Sequence, residues 1–379
     1  MMKNTGITLL LLLLFIYAVP TMAQVQSNAK FYPAGDDAFQ YMGRVQPTAD
    51  AVKYNWPGVS IFTAFTGQKL GIQIKGGDRN YFNVWVDDRP EQVLYAVNDT
   101  LWWYPGKLSK GTHQLRIVKR TEGGMGIAEF TGIYVGAKES LLKPAPLPAR
   151  KLLFIGNSIT CGYGTEGKDK SERFKPATEN CEKSYATIVA RAFESQYHLI
   201  SHSGLGMIRN YGDKEKISTK LAPMPARLEY LLDEDSTRTY PLQEYVPDAI
   251  VINLGTNDFS TQPFPDEPDF INAGKKLINK LHLEFPHAKI VCVTGPMINE
   301  PCFSYTKKMV EELRTELEAL EIVFVGIPGN LLNKEEDLGS DWHPSYRGQL
   351  KSGHMLIPVL GTMLNWNYSL DEILKNLKK

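Results

Sequence analysis

Phe154-Ile155-Gly156-Asn157-Ser158-Ile159-Thr160-Cys161-Gly162-Tyr163-Gly164 is the stretch from which the rest of the chain is read. It continues an apolar run, 152–155, that predicts a buried strand, and it breaks into small residues where that strand ends. Ligands of open α/β sheets bind beyond the carboxyl ends of the strands. A serine placed there, with glycines on both sides leaving room for approach, is a candidate nucleophile. Serine also caps helices, and G-x-S is a short string. The assignment of Ser158 therefore depends on what the remaining sequence places beside it.

Downstream, apolar runs predict strands at 198–201, 249–254, 290–294 and 322–325, in addition to 152–155. Between them, Phe270, Leu277, Ile278, Leu281 and Phe285 recur at helical spacing, as do Met309, Leu313, Leu317 and Leu320. Asp266, Glu267 and Asp269 suit the N-terminus of the first of these helices. Alternating strand and helix implies a parallel sheet covered on both faces.

Upstream, 24–142 reads as short strands and turns. Leu70, Ile72 and Ile74 alternate, as do Phe82, Val84 and Val86, then Leu115 and Ile117, with Gly76-Gly77-Asp78, Lys110-Gly111 and Gly123-Gly124 as punctuation. This pattern predicts an all-β sandwich. Trp102-Trp103-Tyr104 reads either as core or as a sugar platform. The proline-alternating segment 143–150 reads as a linker, which places the second domain at 151–379.

Residues 1–23 have the layout of a secretory signal peptide: Lys3, an apolar stretch, then Pro20-Thr21-Met22-Ala23. Its apolar run falls short of the roughly 20 residues of a spanning helix. The expectation is an exported protein cleaved after Ala23 and without a membrane partner. A formal charge of zero over 379 residues argues against a nucleic-acid footprint. His198 and His202 lie in a strand-like run, and no metal or cofactor is assigned. Four cysteines allow three connectivities, with Cys161–Cys181 and Cys292–Cys302 as the local pairs, beside free buried thiols.

Four stretches fall at predicted strand ends: Gly156-Asn157-Ser158, Ser203-Gly204-Leu205-Gly206, Gly255-Thr256-Asn257-Asp258 and Asp341-Trp342-His343-Pro344. Acyl transfer needs a nucleophile, a base within hydrogen-bond reach and donors for the developing oxyanion. Ser158 and His343 are candidates for the first two roles. The N–H groups of Ser158 and Gly204, with the amide of Asn257, are candidates for the third. Asp258 reads as a turn residue bonding local backbone. Tyr163 and Tyr346 read as packing or as contacts to a sugar ring.

In this chain order the blocks resemble those of the SGNH (GDSL-type) hydrolases. Together with Asn80-Tyr81-Phe82-Asn83-Val84 and Val118-Lys119-Arg120-Thr121-Glu122 upstream, the first block is similar to that of carbohydrate esterase family 2. The resemblance spans nearly the whole chain beyond the leader. It implies a flavodoxin-like, parallel-sheet SGNH hydrolase domain preceded by an all-β jelly-roll sandwich. It also implies removal of O-acetyl groups from plant cell-wall polysaccharides of the xylan or glucomannan type, with a leaning to the 6-position of hexoses. A lipase or thioesterase, or an inactive carbohydrate-binding protein, are the competing functions.

By the same resemblance, Ser158 matches the nucleophile, His343 the base, and Gly204 and Asn257 the oxyanion positions, with Gly206 as the alternative to Gly204. The chain departs from the family pattern twice. Asn157 stands where most members have aspartate, and Ser340 stands where the aspartate three before the histidine is usual. Asp341 then either completes a triad, which is the favoured reading, or leaves the Trp342 carbonyl to orient His343.

Overall fold

The computed structural model describes residues 28–298 and 300–377, so the leader-like segment 1–23 lies outside the described residues. The second domain is built on five parallel strands. Gln196–Ser201 forms one edge, followed by Lys151–Gly156, Ala249–Ile252, Lys289–Thr294 and Ile322–Gly326. In chain order this is 2-1-3-4-5, the flavodoxin-like arrangement, whose order reverses at the carboxyl end of the first strand. Ser158 follows that strand directly.

The strands are apolar without interruption because both faces are covered. Leu153, Ile155, Ile250, Ile252 and Ile290 join one core, and Leu152, Phe154, Val251, Val291 and Val293 the other. Helices Glu267–Glu284 and Cys302–Glu316 cover the first face through Phe270, Leu277, Leu281, Met309 and Leu313. Helices Tyr185–Ala192 and Tyr346–Leu364 cover the second through Tyr185, Ile188, Leu350 and Leu356. Asp266 occupies the N-cap position of Glu267–Glu284, with Glu267 and Asp269 in its first turn.

The N-terminal domain is a curled antiparallel sheet of ten strands. Its organising member is the 17-residue strand Leu70–Val86. The first part pairs with Ala128–Gly136 and the last part with Thr112–Lys119, and the register shifts between Gly76 and Asn80 against Gln92–Trp103. The sequence pattern separates two strands at Gly76-Gly77-Asp78; the structure has one strand with a bulge there. A bulge bends a strand without ending its pairing. Trp102 and Tyr104 are half-buried and pack against the domain core.

The two domains are joined by more than the segment 143–150. The apolar cluster of the β-domain runs on into the cluster on one face of the parallel sheet. Asn55 and Asp233 exchange side-chain-to-backbone hydrogen bonds at 2.9 and 2.8 Å. Trp56 Nε1 donates to Leu231 O at 3.1 Å, and Arg120 Nε donates to Glu179 O at 2.8 Å.

All four cysteines are free and buried, so neither local disulfide forms. Each thiol has other surroundings. Cys161 Sγ donates to Ser201 Oγ at 3.2 Å, Cys181 Sγ to Lys119 O at 3.4 Å, and Cys292 and Cys302 pack in the core. Among the described residues no helix is long and apolar enough to cross a membrane.

Candidate active site

Gly156, the last residue of the first strand, leaves no room for a side chain, since a Cβ there would lie 2.0 Å from Thr160 Oγ1. Asn157 then caps the short helix Ser158–Cys161, its Oδ1 accepting from Ile159 N–H at 3.0 Å while its Nδ2 donates to Asn253 O at 3.3 Å. An N-cap needs an acceptor and not a charge, so asparagine serves where aspartate is usual. The cap leaves Ser158 as the first helical residue, with an N–H that meets no acceptor among the described residues.

Ser158 Oγ lies 2.8 Å from His343 Nε2. The other ring nitrogen, Nδ1, lies 3.0 Å from the main-chain carbonyl of Asp341. A carbonyl can only accept, so Nδ1 carries the hydrogen and Nε2 presents a lone pair to the serine hydroxyl. Burial pushes the His343 pKa down to about 4. The imidazole is therefore neutral and available as a base through most of the acid range.

This geometry corrects both sequence readings of the third member. The Asp341 carboxylate does not touch His343. It accepts from Tyr163 Oη at 3.0 Å and Phe174 N–H at 2.9 Å and pairs with Arg173 at 3.0 Å. Nor is the orienting carbonyl that of Trp342. Asp341 and Trp342 both adopt positive φ, 49° and 65°, a rare conformation for residues with side chains. The double left-handed turn brings the Asp341 carbonyl to the ring, and the carboxylate's three partners hold the turn in place. Tyr163 adds a second constraint, its ring 4.2 Å from that of His343 and 4.0 Å from that of Phe174. Tyr346 serves elsewhere, donating to Glu372 at 2.9 Å.

Gly204 has φ +80° and lines the cleft, and its N–H meets no acceptor among the described residues. Gly206, the alternative, is excluded because its N–H donates to Asn210 Oδ1 at 3.2 Å. Asn257 Nδ2 donates to Leu205 O at 2.7 Å, which leaves its second hydrogen for the cleft. Ser158, Gly204 and Asn257 line the same cleft, which makes their N–H groups the candidate oxyanion donors.

Asp258 does more than its sequence reading assigned. It is fully buried and accepts from the N–H groups of Met207, Ile208 and Arg209 at 2.8–2.9 Å, some 50 residues away. Burial raises its pKa despite these three bonds, which act in the opposite direction. The residue ties the Asn257 block to the Gly204 block.

The cleft has a volume of about 530 Å³, and Tyr211, Met297, Trp342, Arg173, Thr256 and Ser260 line it around the residues already named. Arg173 and Tyr211 carry no strand-end signal, so sequence reasoning had no means of finding them. Behind the nucleophile, Glu122, Cys161 and Glu179 come together in the buried interior. Their oxygens are partly committed already, to Ser203 N–H and Glu122 N–H. Burial and the neighbouring Glu122 hold the Glu179 carboxyl well above the usual carboxylate range. The histidines 198 and 202 are apart in role: His198 stacks on Tyr245 with ring centres 3.6 Å apart, and His202 bonds Asp233 at 2.5 Å.

Residues 41–146 match the model of the carbohydrate esterase 2 N-terminal domain, and residues 154–351 match that of the GDSL-like lipase/acylhydrolase family. A cellulase/esterase, CelE, of Acetivibrio thermocellus is 36% identical over 323 residues, covering 83% of this chain but only 38% of that protein. An acetylxylan esterase / glucomannan deacetylase of Cellvibrio japonicus is 30% identical over 331 residues, covering 81% of this chain and 84% of that protein. Among solved structures, a family two carbohydrate esterase from Clostridium thermocellum in complex with cellohexaose superposes with a TM-score of 0.79 at 33% identity. It covers 86% of this chain and 99% of that one.

Proposed function

The chain belongs to the GDSL-like lipase/acylhydrolase family as a carbohydrate esterase, and from that premise we propose that it deacetylates plant cell-wall polysaccharides through an acetyl-Ser158 intermediate. The observation that carries this reading is the 2.8 Å contact of Ser158 Oγ with His343 Nε2, whose other ring nitrogen is bonded to the Asp341 carbonyl. The relatives' activities on acetylated xylan and glucomannan support the choice of substrate. The N-terminal domain is read as the jelly-roll sandwich that accompanies this family.

In the proposed reaction Ser158 Oγ attacks the acetyl carbonyl and its proton passes to His343 Nε2. The Asp341 carbonyl, bonded to Nδ1–H, steadies the imidazolium. The oxyanion accepts from the N–H groups of Ser158 and Gly204 and from Asn257 Nδ2. When the tetrahedral adduct collapses, His343 returns the proton to the departing sugar oxygen. Water then enters and gives a proton to His343 as its oxygen attacks the acetyl carbonyl, and His343 returns that proton to Ser158 Oγ as acetate leaves. The half-exposed ring of Trp342 and the exposed ring of Tyr211 border the cleft, and such rings offer apolar faces to a sugar. The leader pattern of residues 1–23 supports export.

The test is acetate release from acetylated glucomannan, acetylated xylan and a long-chain aryl ester, with Ser158→Ala beside the parent. Serine-dependent release from the polysaccharides, with little long-chain hydrolysis, is expected. Preference for the long-chain ester would move the chain to the lipase class, and release unchanged in Ser158→Ala would reject the nucleophile.

A further inference from the structure

Gly204 carries the proposed oxyanion donor, yet the space a side chain would occupy there is open. A Cβ built there meets no atom within 4 Å. The direction of its N–H is therefore set by its flanks. On one side Gly204 O accepts from Tyr211 N–H at 2.8 Å. On the other, Ser203 N–H donates to Glu122 Oε2 at 2.5 Å. Glu122 belongs to the β-domain, three residues beyond the strand Thr112–Lys119, and is almost fully buried.

The contact belongs to a continuous seam. A Cβ on Gly123 would lie 2.2 Å from Asp233 Oδ2, the partner of His202, and one on Gly124 would lie 3.3 Å from His202 itself. Glu122 and Gly124 thus close on the segment that leads into Gly204, and Gly123 on Asp233, the partner of His202 in that segment. Glu122 is held in turn at both ends of its backbone. Its N–H donates to Glu179 Oε2 at 3.0 Å, and its carbonyl accepts from Lys119 Nζ at 2.8 Å. The same carboxylate oxygen also faces Cys161 Sγ at 3.5 Å, on the helix that begins with Ser158. One side chain from outside the hydrolase domain therefore touches both the nucleophile block and the oxyanion block.

We propose that Glu122 is a positioning residue of the oxyanion hole, its carboxylate fixing the Ser203 amide and through it the aim of the Gly204 N–H. The assignment rests on the esterase reading above. The required property is an acceptor at that point, not a charge. The β-domain is on this view part of the catalytic apparatus, whatever it does towards glycan.

The test compares Glu122→Gln with Glu122→Met in the full chain, using a small aryl acetate that needs no sugar recognition. Both side chains match glutamate in length, but only glutamine offers an oxygen to Ser203 N–H. Since losing an oxyanion donor outright costs roughly 10²–10³ in turnover, misaiming one should lower kcat of the Met variant about 10- to 100-fold with KM within about twofold. The Gln variant should keep kcat within about threefold of the parent by the same reasoning. A Met variant within threefold of the parent, an equal loss in both variants, or a loss confined to KM would each overturn the proposal.

Thermal melts accompany the kinetics. Should the Met variant fail to fold, Glu122→Ala takes its place beside Glu122→Gln, with a loss of about 10- to 100-fold expected and a loss within threefold rejecting the assignment. Parent turnover of the aryl acetate checks the esterase reading separately, because an inactive parent would remove that reading before Glu122 is considered.

Discussion

His343 donates its Nδ1 hydrogen to the main-chain carbonyl of Asp341 at 3.0 Å, while the carboxylate of the same residue faces Tyr163, Phe174 and Arg173. One residue thus orients the histidine with its backbone and is itself held in place by its side chain. The charge of that side chain takes no part in contact with the imidazole.

Asp341→Asn is the direct check. In a Ser-His-Asp triad the corresponding change costs on the order of 10⁴ in kcat, because the wrong tautomer is stabilised. Here one asparagine oxygen can still accept from both Tyr163 and Phe174, which share one carboxylate oxygen, and the change gives up the pair with Arg173, whose side chain is 90% exposed. Exposed pairs contribute only about 0–1 kcal/mol, so kcat/KM should stay within about tenfold of the parent. A loss beyond about 10³ would restore the carboxylate triad.

The pH profile should reflect burial of the base. His343 must be neutral to accept the serine proton, and burial lowers its pKa to about 4. The acid limb of kcat/KM, which reports the free enzyme, should have its midpoint near 4 and not near the 6.5 of a solvated imidazole. The sign for stability agrees. Between about 4 and 6.5 the unfolded chain binds the proton more readily, so this residue's contribution to stability falls as the pH drops through that window. A limb centred at 6 or above would show that the imidazole is solvated in the working enzyme.

Asn257→Ala should lower kcat by about 10²–10³ by removing one oxyanion donor. The same side chain bonds Leu205 O, so a modest fall in Tm is expected too. Steady-state kinetics with a melt on the same sample separates the two. Full activity in a folded variant would remove Asn257 from the oxyanion hole.

Four buried free thiols make a redox prediction. Reductant should leave the Tm unchanged, and a thiol reagent should count four groups only after unfolding. A Tm that falls with reductant, or a count of two or none in the unfolded chain, would show that bridges form.

The strands of the parallel sheet and the three blocks that follow Lys151–Gly156, Gln196–Ser201 and Ala249–Ile252 are legible because the signals are local, whereas the block 341–344 lies in a loop beyond the last strand. A run such as Leu152 to Ile155 is apolar only when both faces of a strand are covered, and Gly156 and Gly204 stand where the backbone or its neighbours exclude a Cβ or require positive φ. The strand Leu70–Val86 was misdivided because a bulge and a turn draw on the same glycines.

By itself the sequence determined the βα order, the placement of Ser158 at a strand end, and the family to which the chain belongs; His343 instead follows the turn Ser340–Trp342, well beyond the last strand Ile322–Gly326. Only the tertiary structure decided which group orients His343, which loop Asp258 holds and where Glu122 reaches. Each of these depends on the sign of a backbone angle at Asp341 or on a hydrogen bond between residues about 50 to 180 positions apart. Composition and periodicity record which face of an element is buried. They carry no information on which distant polar atom meets which, because that follows from how the loops at the sheet's edge fold back on one another.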